Sequence, residues 1–178
     1  CALRGALQMV LAEISLCEQS MRDSEEQLAR WHADDDIVHK LDEVSGIGLL
    51  TASALKTAVG KPERFASGRH LSAWLGMTPN EYSSGERRRL GCISCKGNTY
   101  VRTLLIHGAR AALLAAKRCQ TRTPERLTQL QRWALQTAER IGHNKAAVAL
   151  ANKLVRICWV VWCHERRFSG DWQSARPA

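Results

Sequence analysis

Leu3, Leu7, Val10, Ile14, Cys17, Met21, Ser24, Leu28 and Trp31 follow one another at alternating steps of four and three residues. A stripe at that spacing stays on one face of a helix through about four heptads and would scatter across both faces of a strand. Residues 3–31 are therefore committed to one long amphipathic helix, with Glu, Gln, Arg and Asp on its other faces. Two arrangements satisfy the stripe. It packs on its own domain, or it forms a coiled coil that pairs protomers or folds back on another helix.

No later segment alternates as a strand, apart from a short hairpin that fits Tyr82 to Ile93. The predicted class is mostly α: an N-terminal coiled-coil helix (1–33), a compact helical domain (34–168) and a tail (169–178). At 45 % hydrophobic the 178 residues can bury a core, which excludes wholesale disorder. Asp34-Asp35-Asp36 breaks the seam and caps a short helix carrying Ile37, Val38 and Leu41. As a metal site this run is disfavoured, because neighbours in sequence splay apart on a helix.

Val44-Ser45-Gly46-Ile47-Gly48 then joins this short helix to an Ala-rich one that stops near Gly60 and Pro62. The pattern is helix-hairpin-helix-like. Glycines there permit a tight turn and let amides at the start of the second helix approach a phosphate, so Gly46 and Gly48 are candidate DNA contacts. The plainer reading is an ordinary helical hairpin with a glycine C-cap. Further on, Ser67 caps a helix ended by Gly76, with Trp74 expected in the core. Asn98 caps a long helix whose apolar stripe is Val101, Leu104, Leu105, Gly108, Ala112 and Leu113. A polar stripe, Tyr100, Thr103, His107 and Arg110, runs beside it. Pro124 opens a helix reaching Ile141, and Asn144 caps the last one.

Charge singles out the stretch between these helices. Lys and Arg outnumber Asp and Glu by 26 to 17, for a net +9, the footprint expected of a nucleic-acid partner. From Ser83 to Arg102 there are five basic side chains against one carboxylate, Glu86. Such a loop, held by a rigid helix, is where binding and chemistry concentrate. Ser94 lies two residues before Lys96. A serine hydroxyl needs nearby cations to act as a nucleophile on a phosphoryl group. Arg87, Arg88, Arg89, Lys96, Arg102 and the amides of the following helix are the candidates to supply them. Spacing alone marks Ser94 no more strongly than as a cap or a phosphate-contact hydroxyl, and His107 is held in reserve as a proton shuttle. Cys92-x-x-Cys95 has zinc or redox spacing, but no second pair sits at ribbon distance and no βαβ context accompanies it. No metal site is expected. Seven scattered cysteines favour a reducing cytoplasm, and the apolar run Ile157 to Cys163 is too short to suggest a membrane span.

Three blocks together resemble a known family: Val44-x-Gly46-Ile47-Gly48-x-x-Thr51-Ala52; Phe65-x-Ser67-Gly68-Arg69-x-Leu71-x-Ala73-Trp74-Leu75-Gly76-Met77-x-Pro79; and Ser83-Ser84-Gly85-Glu86 leading to Gly91-x-Ile93-Ser94-x-Lys96-Gly97-Asn98-x-Tyr100-x-Arg102-x-Leu104-Leu105-x-His107-Gly108-Ala109-Arg110. This order is similar to the C-terminal domain of the insertion-sequence 110/116/902 transposases, closely over 41–116 and more loosely in the last helix. The resemblance implies DNA recombination for transposition, guided by a structured RNA. It makes Ser94 the nucleophile that forms a phosphoserine link to DNA. It further implies a partner RuvC-like domain whose acidic tetrad binds magnesium, with a coiled coil aiding homo-oligomer assembly. No such acidic domain is present here, so no cofactor is expected in this chain, magnesium is expected in the missing part, and the sequence is expected to continue before Cys1. The alternative is a non-catalytic helix-hairpin-helix DNA-binding and dimerisation module.

Overall fold

The computed structural model describes residues 2–87 and 89–171, and it divides into two units, residues 1–35 and 36–178. The first is one helix, α1 (Ala2–Trp31), 30 residues long. Its seam residues Leu3, Leu7, Val10, Ile14, Met21 and Trp31 are all exposed, and only Leu28 is half-buried. The expected long helix is present. Its heptad face carries the apolar side chains that a partner helix would need.

The second unit is built around α7 (His143–Cys163) and α5 (Thr99–Arg122). Helices α2 (Asp36–Asp42), α4 (Gly68–Trp74) and α6 (Gln129–Ile141) pack on α7, while α3 (Leu49–Val59) packs on α2 and α5. Leu41, Leu55, Leu71, Leu75, Leu105, Leu113, Leu150 and Leu154 are fully buried and form the centre of one core. At roughly 2 kcal/mol per buried leucine, this cluster dominates the unit's stability. By length and composition α7 would also satisfy a membrane span, but half of its apolar window is buried within this core.

Two sequence expectations are corrected here. Pro124 opens only a 3₁₀ turn (Pro124–Arg126). The α-helix starts after Thr128, whose side chain and that of Gln131 cap each other's amides, a reciprocal box stronger than the proline signal. Likewise α7 begins at His143 behind Gly142 (φ +84°), so its cap lies two residues ahead of the predicted Asn144.

The hairpin between α2 and α3 is fixed to α5 by two glycines. A Cβ on Gly46 would stand 2.8 Å from the Gly108 carbonyl oxygen, and one on Gly108 would overlap the Gly46 carbonyl. Helix α5 therefore lies against the turn backbone to backbone. Gly108→Ala, which in an isolated helix would gain about 1 kcal/mol, is instead expected to destabilise the protein by about 1–3 kcal/mol. Urea denaturation checks the sign.

Candidate functional site

Beyond Met77 the chain turns into β1 (Pro79–Glu81), which pairs antiparallel with β2 (Leu90–Ile93) in the register Pro79 to Ile93 and Glu81 to Leu90. A short hairpin is therefore present as expected, but its first strand begins at Pro79, three residues ahead of the expected Tyr82. Its tip closes through Ser84 and Arg87, whose amides and carbonyls exchange bonds of 3.3 and 3.1 Å. Ser83 braces the arm, donating its hydroxyl to Glu81 at 2.7 Å and accepting the Arg89 amide at 3.1 Å.

Ser94 sits at the other end of this hairpin, directly after β2. Its amide donates to the Thr78 carbonyl at 2.9 Å, and the Cys95 amide donates to Gly76 at 3.1 Å. Cys95 adopts φ +54°, a left-handed conformation costly for a residue with a Cβ and concentrated at functional sites. The next two residues are laid on the C-terminal end of α4. A Cβ on Gly76 would overlap the Lys96 backbone, and one on Gly97 would overlap the Trp74 carbonyl. Ser94 is thus half-buried and held by backbone on both sides. Among the described residues its hydroxyl has no hydrogen-bond partner.

The predicted site residues separate into three groups. Arg87, Arg89 and Lys96 are exposed, and none has a carboxylate partner among the described residues. Arg88 lies outside the described residues. Arg87 is at the hairpin tip, up to roughly 20 Å of extended chain from Ser94. Lys96 is the basic side chain nearest to Ser94 in sequence. His107 is exposed on the polar stripe of α5 with Tyr100, Thr103 and Arg110.

Arg102 is the correction. It is 7 % exposed, with Nη1 donating to the Leu75 carbonyl at 3.1 Å and Nη2 to the Thr99 hydroxyl at 3.1 Å. Its guanidinium ties the C-terminus of α4 to the first turn of α5 and is not free to clamp a phosphate. Arg102→Met is accordingly expected to destabilise the fold by about 1–3 kcal/mol through the orphaned carbonyl, whereas Lys96→Gln is expected to leave the melting temperature unchanged. Paired thermal melts separate the two roles.

The glycine pair also divides. Gly46 is required as glycine by its backbone contact with α5, as above. Gly48 is exposed, with open space where a Cβ would point, and it precedes a first turn of α3 that has no side-chain cap and no acid. Of the two, Gly48 leads the uncapped α3 amides that could meet a phosphate.

Trp74, expected in the core, is 43 % exposed, its ring tilted on Phe65 with centroids 5.5 Å apart. The strand end that covers α4 leaves this indole at the rim. Tyr82, Leu90 and Tyr100 are exposed as well. Helix periodicity places Trp74 beside Leu75 and cannot tell which of the two the hairpin leaves open. Cys92 and Cys95 are exposed free thiols, and no group of three or more His, Cys, Asp or Glu among the described residues could hold a metal. Cys158 is fully buried, and burial pushes its thiol up to about 12, so it stays protonated in the core.

Comparison with known proteins bears on the same stretch. Residues 38–124 match the family described as transposase IS116/IS110/IS902. The chain is 39 % identical over 153 residues to a probable family 20 transposase of Pseudomonas aeruginosa, covering 86 % of this chain and 43 % of that protein. It is 32 % identical over 166 residues to the transposase for insertion sequence element IS1111A of Coxiella burnetii, covering 93 % and 44 % respectively. The transposase for IS1328 of Yersinia enterocolitica is 36 % identical over 154 residues, covering 86 % and 44 %. The chain spans less than half the length of these relatives.

Proposed function

From the premise that the chain belongs to the transposase IS116/IS110/IS902 family, we propose that it is the serine-bearing part of a DNA recombinase. The observation that carries this is the presentation of Ser94. Its half-buried hydroxyl is unpartnered among the described residues, next to a left-handed Cys95, and clamped between a basic hairpin and α4.

In the proposed step the Ser94 Oγ attacks a DNA phosphorus. An O–P bond to serine forms as the bond to one sugar oxygen breaks, the serine proton passes to a base, and the departing oxygen is protonated. Lys96 and the α5 first-turn amides left uncapped by Asn98 face the charge that builds on the phosphoryl oxygens. Arg87 and Arg89 hold neighbouring phosphates. His107, exposed on the polar stripe of α5, is the reserve candidate for that base.

The donor set here does not fit magnesium, since the described residues offer no cluster of carboxylates and imidazoles. A magnesium-binding RuvC-like domain therefore belongs to the proposal only as part of the longer protein, as does a structured guide RNA. The exposed seam of α1 supports pairing of protomers through a coiled coil.

The test is a covalent adduct. Full-length protein is incubated with end-labelled DNA, denatured and digested. Label on the peptide containing Ser94 supports the reading, and label on another residue overturns it. A second reading rests on the open Gly48 and uncapped start of α3: a binding module without catalysis. It predicts steeply salt-dependent DNA affinity and no adduct under any condition.

A further inference from the structure

At the N-terminal end of α4, about 10 Å along the helix from the end that carries the Ser94 loop, lies a cavity of about 900 Å³. It is formed by α4, α6, α7 and the strap that follows α7. The strap is fastened. The Leu130 amide donates to the Gly170 carbonyl at 3.1 Å, and the Gln129 amide to Asp171 Oδ1 at 3.0 Å. Ser169 and Gly170, assigned from sequence to the tail, therefore line the cavity, while 172–178 lie outside the described residues.

The lining is one-sided in charge. It holds Arg69, Lys153, Arg156, Arg166 and Arg167, and no Asp or Glu. Neither Lys153 nor Arg156 forms an ion pair among the described residues. Two carboxylates close by are engaged elsewhere, Asp171 with the Gln129 amide and Glu165 with Lys40 at 3.8 Å, and exposed Glu63 lies outside the lining. Burial, with Arg156 beside it, pulls the Lys153 ammonium below its ordinary value, a cost that an anion in the cavity would offset. The other component is aromatic. Lys153 Nζ stands 4.3 Å from the ring centroid of Trp133, and Trp159 forms a wall with its Nε1 donating to Pro62 at 3.2 Å.

We propose that this cavity is a second nucleic-acid site that takes an unpaired nucleotide of a single strand. Lys153, Arg156 and Arg69 hold its phosphate, and the base lies against Trp133. A recess of this size matches small-ligand pockets and is too narrow for a duplex, whereas cations interleaved with aromatic rings are what single strands require. The site is independent of catalysis at Ser94.

The experiment titrates the full chain, at low and moderate salt, with fluorescein-labelled oligothymidylate, oligouridylate and a mixed-sequence duplex. Lys153→Gln with Arg156→Gln is expected to weaken single-strand binding about tenfold or more and duplex binding less than about twofold. Arg87→Gln with Lys96→Gln is expected to do the reverse. If the first pair fails to fold by circular dichroism, Arg69→Gln with Arg167→Gln, at exposed positions, is expected to give about a threefold loss for the single strand. Preference for one of the two oligonucleotides names the strand type. Unchanged single-strand affinity in a folded variant, no binding of either oligonucleotide, or equal displacement by polyglutamate at matched ionic strength overturns the proposal.

Discussion

Ser94→Ala in the full-length protein is expected to cut DNA strand cleavage by roughly a thousandfold or more while leaving duplex affinity within about twofold. A thousandfold corresponds to about 4 kcal/mol of transition-state stabilisation. The substitution removes only Oγ. The backbone bond from residue 94 to Thr78, which fixes the loop, is made by the amide and survives. Arg87, Arg89 and Lys96 remain exposed and charged, so the electrostatic term in binding is untouched. Cleavage assays paired with fluorescence anisotropy read the two quantities separately. Cleavage within tenfold of the parent protein, in a variant that still binds, would remove Ser94 from the reaction. Loss of both together would assign it to binding instead.

Gly97→Ala is expected to cost about 3 kcal/mol, or a fall in melting temperature of roughly 10 °C. Two penalties coincide there. Gly97 has φ +109°, outside what an L side chain adopts comfortably, and its Cβ would overlap the Trp74 carbonyl. Gly60 isolates the first penalty, because it has φ +69° but nothing near its Cβ position. Gly60→Ala should therefore cost only about 1 kcal/mol. The contact cannot relax without lifting residues 94–97 from the end of α4, so Gly97→Ala should also abolish cleavage in protein that remains folded. Thermal melts of both variants with a cleavage assay provide the check. Equal, small losses in the two would show that the loop is not wedged against α4.

Much of the fold was readable because local rules and tertiary packing agree. Ser67 and Asn98 cap their helices through the His70 and Val101 amides, as their residue types and positions imply. The apolar stripe of α5 lies on its buried face. The disagreements have specific causes. The reciprocal Thr128–Gln131 box outcompeted Pro124 as the start of α6, and a Gly142 junction brought α7 forward by two residues. Trp74 and Arg102 exchanged their expected environments, the aromatic left at the surface and the cation taken inside. The cavity cations were invisible as a group, since residues 69, 153, 156, 166 and 167 are gathered only by folding.

The sequence by itself determined the helical class, the long heptad helix, the basic hairpin and the family, because each depends on spacing or on motifs within a short span of chain. Only the tertiary structure decided which basic side chains remain free. Whether Arg102 meets a phosphate or the Leu75 carbonyl depends on how α4 and α5 meet, and that is set by contacts between residues 27 positions apart.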